Sequence, residues 1–158
     1  MMADIPPVSQ ALKDLGVEHS LFVHPGPLHS LEQAAHERGQ QPDQVVRSIV
    51  FRTARDQFVM VLVAGPAQIS WPALRQYLGQ SRLTMASEAE VLEATGYPLG
   101  AVAPFGLPRP MRILVDRSLL QQEIISLGSG IRYTAVILRT RDLLRSLDSP
   151  EFGDFISS

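Results

Sequence analysis

The chain's four histidines, His19, His24, His29 and His36, are the first residues to weigh for metal or acid–base chemistry. None forms an HExxH pair or another tight ligand spacing, and there is no cysteine. Cys-based zinc sites, thiolate catalysis and disulfides are therefore excluded, and no metal centre is expected. His29 and His36 are seven apart, but His29 stands just before the helix that carries His36, so surface or capping roles suit both. A serine nucleophile needs a base and an oxyanion hole. The nearest approach to an elbow is LGSG around Ser129, which a tight hairpin turn explains equally well. The glycines also lack the spacing of a P-loop or a dinucleotide fingerprint. Carboxylates are scattered, most of them on helix faces open to solvent. Asp116 differs because it ends an apolar strand, where a carboxylate more often holds backbone amides than catalyses.

Two features resist this bland reading. Arg47 interrupts the apolar run VVRSIVF and by strand alternation shares a face with Ile49 and Phe51. A charge there needs an acidic partner or an anionic ligand, unless it reaches solvent from a strand edge. Residues 95–106, TGYPLGAVAPFG, hold three glycines and two prolines and no charge. Glycine lets other groups approach the main chain and proline stiffens it, so the stretch is either a structural corner or the wall of a pocket.

The elements that must position these residues can be read from local signals. VSQALKDLG gives a short helix with Val8, Leu12 and Leu15 in register and Gly16 as its stop. EHSLFVH reads as a strand. Ser30 and Gln33 form a capping-box pattern, and Gly39 ends that helix. Residues 45–64 form an antiparallel hairpin turning at 54–57, with a second arm so apolar that it should lie centrally in the sheet. Residues 71–78 predict a helix. Ser87 and Glu90 open another, closed by Gly96. MRILVD is a buried strand, and two more strands flank Gly128 and Gly130. TRDLLRSL is a last helix before a polar tail. Mixed elements with hairpins and no strict βαβ alternation predict an α+β fold.

At 158 residues with 45% hydrophobic and 19% charged residues, one globular domain is expected. No apolar run approaches a membrane span, and no basic-then-apolar leader is evident, so a cytoplasmic protein is expected. The net charge of −2 argues against a surface coated with nucleic acid or a DNA partner. A local phosphate patch stays open, because all but Lys13 of the basic side chains are arginine.

The order of the pieces resembles the YbaK/ProX family of aminoacyl-tRNA deacylases, related to the editing insertion of bacterial prolyl-tRNA synthetase. The likeness covers about residues 29–144. It rests on HSLEQAA opening a helix, VVRSIVF, TGYPLGAVAPFGL, ILVD, and ISLGSG before a DLL helix. It implies a single editing domain over residues 1–158, with a largely antiparallel, partly barrel-like mixed sheet flanked by helices. It implies hydrolysis, without metal or other cofactor, of the ester joining a wrong small amino acid (Ala, Cys or Ser) to a tRNA 3′ end. The partners implied are an aminoacylated tRNA, of the proline type or a related one, and prolyl-tRNA or another synthetase. Water would attack the ester, helped by backbone groups and a ribose hydroxyl.

The resemblance places Arg47 at the family's catalytic lysine position, implying contact with the tRNA 3′-end phosphate or orientation of the substrate, with Ser48 beside it. It gives Gly100 and Gly128 roles at the reacting ester. Ala101, Val102 and Pro104 border the aminoacyl pocket, with Ala101 where many members have glycine and its methyl reshaping the pocket. Ser126 and His29 are substrate-binding candidates. Arginine for lysine keeps the charge but changes its shape. A non-catalytic module of the same fold, binding a tRNA end, nucleotide or protein, is the alternative.

Overall fold

The computed structural model describes residues 5–157. In chain order its elements are α1 (Pro7–Asp14), β1 (Ser20–Val23), α2 (Leu31–Arg38), β2 (Val46–Ala54), β3 (Gln57–Ala64), α3 (Trp71–Leu78), β4 (Thr84–Met85), α4 (Glu88–Thr95), β5 (Arg112–Asp116), β6 (Ile124–Gly128), β7 (Thr134–Arg139), α5 (Thr140–Ser146) and β8 (Glu151–Gly153). The strands form two sheets, a five-stranded one in the order β4-β2-β3-β5-β8 and an antiparallel three-stranded one in the order β1-β7-β6. The fold is α+β with a mixed sheet, as expected.

The hairpin forms because Asp56, at φ 57°, accepts the left-handed conformation that a tight turn demands. Its second arm is central, with β2 antiparallel on one side and β5 parallel on the other. Both faces of this sheet are covered. Val46, Val50, Met60 and Leu62 join the core shared with α1, α4, α5 and the smaller sheet. Phe51, Val59, Val61 and Val63 face the opposite way, against Leu74 of α3 and Phe155. A strand buried on both faces cannot alternate apolar and polar residues, which is why β3 reads as one apolar run.

The helix signals translate directly. The Ser30 hydroxyl accepts the Gln33 amide, and Ser87 and Glu90 make a reciprocal capping box. Gly39, Gly79 and Gly96 end their helices in the left-handed conformation. Asp116 holds the Ser118 and Phe155 amides through its two oxygens.

Three expectations need correction. The sheet is not partly barrel-like: one bridge, Val45 to Ser126, links the two sheets, too little pairing to close them. Leu15 caps α1 and lies exposed, while Ser9 takes a buried position on that helix. The tail is not merely polar. β8 adds to β5 in parallel, and Phe155 is buried in the second core. Arg112 grips Glu151 through two hydrogen bonds, at 2.6 and 2.8 Å, which fastens this tail to its neighbouring strand.

Candidate functional site

Where the start of β2 meets β6, the Val45–Ser126 bridge is parallel, so both strands run from it in the same direction. A cavity of about 340 Å³ opens there, walled by Leu31, Ala34 and Arg38 of α2. Those residues are three and four apart, so they form one face of the helix. Arg47 and Ser48 of β2, with Gly100, Val102 and Gly128, complete the wall. A cleft of similar volume lies near Leu120 and Arg139, so size alone does not single out a site.

The glycine-rich stretch supplies main chain to this wall. An added Cβ on Gly128 would lie 2.5 Å from the Ala101 carbonyl carbon and 2.6 Å from the Val102 oxygen. Only glycine lets the loop rest directly on β6. The Gly130 amide donates to the Ala101 carbonyl at 2.9 Å and secures that contact. Behind it, the buried Tyr97 hydroxyl donates to the Phe105 carbonyl, and its ring lies against Gly130. The loop is therefore both a structural corner and a cavity wall. Among the described residues, the Gly100 and Val102 amides have no protein acceptor, so backbone donors without a protein partner belong to residues of this wall.

Two arginines border the cavity. Arg47 donates from Nε to the Gly65 carbonyl at 2.9 Å and from Nη2 to the Ala67 carbonyl. Backbone carbonyls, rather than an acidic side chain or ligand, answer its charge, and partial burial lowers its pKa. Arg38 donates from Nε to His24 Nε2 at 3.0 Å and from Nη1 to Ser126 Oγ at 2.9 Å. An arginine nitrogen can only donate, so His24 Nε2 must accept. The proton then sits on Nδ1 and is donated to Glu37 at 2.7 Å. That bond to His24 is the main reason the Glu37 carboxyl is held below its usual range. The Ser126 hydroxyl donates its own hydrogen bond to Gln40 Oε1 at 2.6 Å. Among the described residues no carboxylate lies within ion-pair distance of Arg38, and burial, only partly offset by the charge of Glu37, pulls its guanidinium down to about 10. It remains charged at neutral pH.

Ser48 shares a face with Val46 and Val50, on the side of the first core. Its Oγ is the one buried side-chain nitrogen or oxygen without a hydrogen-bond partner among the described residues.

Of the residues expected at the site, Arg47, Ser48, Gly100, Val102 and Gly128 line this cavity. Ser126 lies just behind it, fully buried, under Arg38. His29 is exposed, and its backbone amide donates to Gln33. Ala101 is fully buried and is not part of the lining; its main chain, not its methyl, contributes to the wall. Pro104 borders a different cleft, near Met111 and Leu147. Arg38 and His24 were missed. Arg38 sits four residues after Ala34 and seven after Leu31, so the apolar stripe of α2 runs into it, and that was the available signal. Ser129 accepts from the Ile131 amide and bonds the Thr134 hydroxyl, which fastens the turn.

Comparison with known proteins bears on this geometry. A sequence model described as the aminoacyl-tRNA editing domain matches residues 25–146. The uncharacterised protein YwhH of Bacillus subtilis is 34% identical over 114 residues, 72% of each chain. The multifunctional Ser/Thr-tRNA deacylase ProXp-y of Escherichia coli K12 is 30% identical over 128 residues, 78% of this chain and 76% of that one. A proline–tRNA ligase of Thermosipho melanesiensis is 33% identical over 98 residues, 62% of this chain but only 17% of the ligase. The crystal structure of a candidate trans-editing enzyme for prolyl tRNA synthetase superposes with a TM-score of 0.87 over 96% of both chains at 24% identity, which speaks to fold. With the family model spanning most of its length, the chain belongs to the aminoacyl-tRNA editing domain family.

Proposed function

We propose that the chain acts as one editing domain over residues 1–158, a trans-acting hydrolase that removes a wrongly attached small amino acid from a tRNA 3′ end. The observation that carries this reading is the Ser48 hydroxyl, buried at the cavity wall without a partner. A buried hydroxyl left unpaired is costly, and a substrate that hydrogen-bonds to it removes that cost. The lining beside it, Leu31, Ala34, Val46 and Val102, is apolar and suits a short side chain such as that of Ala, Cys or Ser.

The ester carbonyl would lie against the Gly100 and Val102 amides, which can donate to the oxyanion as water attacks. One such donor is worth about 2.7–4 kcal/mol in a dry site. A neighbouring ribose hydroxyl would help move the proton as the ribose oxygen leaves, giving a free amino acid and an uncharged tRNA. No step needs a metal or a protein nucleophile. The Gly65 and Ala67 carbonyls fix Arg47, which holds the strand that presents Ser48. The similarity to a Ser/Thr-tRNA deacylase and to a segment of proline–tRNA ligase supports a tRNA substrate of the proline type or a related one, and a synthetase partner.

The decisive experiment is a deacylation panel of Ala-, Cys-, Ser-, Thr- and Pro-charged tRNAs with chelator present. Hydrolysis of a non-cognate ester that persists in chelator is expected. Inactivity on every ester, with tRNA still bound, would instead favour a non-catalytic tRNA-end module. The engagement of Arg47 by main-chain carbonyls is the observation on that side.

A further inference from the structure

We propose that Arg38 is the anion-binding residue of this cavity, taking a phosphate oxygen of the terminal nucleotide through Nη2. The assignment rests on the nucleotide-end reading above.

Nε and Nη1 are committed to His24 and Ser126, and Nη2 has no partner among the described residues. Arg38 lines the cavity. Its two direct partners are neutral, a histidine tautomer and a serine, and the nearby Glu37 carboxylate acts on it only through space, without a hydrogen bond. Glu37 is separated from it by the imidazole ring. This arrangement differs from a structural ion pair, where a carboxylate would face the fork directly. It also differs from Arg47, which shares its strand face with Ile49 and Phe51 and is tied to the Gly65 and Ala67 carbonyls on that side.

Position agrees with charge. Arg38 touches Ser126, and Gly128 lies two residues further along β6, about 7 Å at the usual strand rise. An ester held at the Gly100 and Gly128 end would leave roughly one sugar's length before the arginine, the reach of the same nucleotide's 5′ phosphate. The α-amino group of an aminoacyl ester is a cation in its protonated form and is repelled by Arg38, so the amino acid is directed the other way. Glu37 and His24 then act as positioning residues, holding the guanidinium plane through the Nδ1–H tautomer.

The test compares adenosine 5′-monophosphate with adenosine by calorimetric titration into the full chain. A charge-assisted hydrogen bond predicts that the phosphate tightens binding about tenfold or more. Arg38→Met should erase that ratio, Arg38→Lys should keep part of it, and Arg117→Met, whose side chain is paired with Asp154 outside the cavity, should leave it intact. Thermal melts run beside the titrations report folding, and Arg38→Gln, which can still donate to His24, replaces a methionine variant that fails to fold. Equal affinity for the two ligands, no binding of either, or a ratio that survives loss of Arg38 would each overturn the assignment. A chain that deacylates tRNA without phosphate preference refutes Arg38 alone. An inactive chain with an Arg38-dependent preference refutes the hydrolase reading alone.

Discussion

Replacing Gly128 with alanine puts one methyl group between β6 and the loop that rests on it. The new Cβ would lie 2.5 Å from the Ala101 carbonyl carbon and 2.6 Å from both the Ala101 and Val102 oxygens, whereas ordinary contacts begin at 3.4 Å. All three obstacles are main-chain atoms, so no rotamer change can relieve them. The loop must retreat by about 1 Å, the difference between those distances. Overpacking of this kind costs about 1–3 kcal/mol, and stretching the Gly130–Ala101 hydrogen bond adds to it. For a chain of this size that lowers Tm by about 2–12 °C. In the proposed mechanism the effect on rate should be larger, because the same retreat would carry the Gly100 and Val102 amides away from the ester, and a 1 Å misplacement can cost about 10²-fold. Single-turnover deacylation, measured well below the variant's Tm, reads this directly. Gly153→Ala is the control. Its Cβ would meet the Phe155 ring at 2.5 Å, in the other core, so it should lose stability while keeping the rate. A Gly128→Ala chain with wild-type Tm and a rate within twofold of wild type would refute the account of the loop as a main-chain wall.

Ser48→Ala removes a buried hydroxyl that nothing satisfies, so denaturant unfolding should show unchanged or slightly raised stability while deacylation falls about five- to tenfold; lost stability would mean the hydroxyl is bonded in the free protein. Arg47→Met leaves the Gly65 and Ala67 carbonyls without donors and should cost about 1 kcal/mol in the same assay, discounted for its partial exposure. Ala101→Gly should not change which amino acids are released, since the methyl is not in the lining; a broadened panel would place it there after all. Glu151 is held below its ordinary value of 4.5, chiefly by its hydrogen bond to Arg112. The stability it contributes is therefore present above pH 4.5 and lost as pH falls through the depressed value. Wild type and Glu151→Gln should differ at pH 7 and converge in acid.

Short-range signals carried most of the fold into the sequence. Ser30 and Ser87 cap the helices their spacing announced, because a cap involves residues only three apart. The central position of β3 was equally legible, since burial on both faces leaves a composition that needs no partner to interpret. The parallel bridge from Val45 to Ser126 and the pairing of β8 with β5 were not legible. They join residues far apart in the chain, and nothing local in PEFGDF announces a neighbour. The candidate site divides the same way. The 95–106 stretch was readable as main chain open to close approach, whereas Gly128, on which it rests, entered only through the resemblance. Arg38 was masked because, at the C-terminal end of a short helix, it looks like any solvated cation favoured by the helix dipole. Only its place on the Leu31–Ala34 stripe marked it as inward-facing. Arg47 was correctly read as out of place, but side-chain reasoning offers acids and ligands as partners and overlooks main-chain carbonyls.

In the proposed function the ester meets backbone at one end of the cavity, while side chains of α2 and β2 face the rest, so the two parts can change independently over evolutionary time. Most substitutions on the loop leave its amides where they are, while Gly128 permits almost none. In that reading a single exchange at Leu31, Ala34 or Arg38, all on the α2 side of the lining, would alter which molecule is accepted while leaving the backbone wall in place. Under the proposed function, such a chain could drift from one mischarged tRNA to another by small steps without losing its ester chemistry.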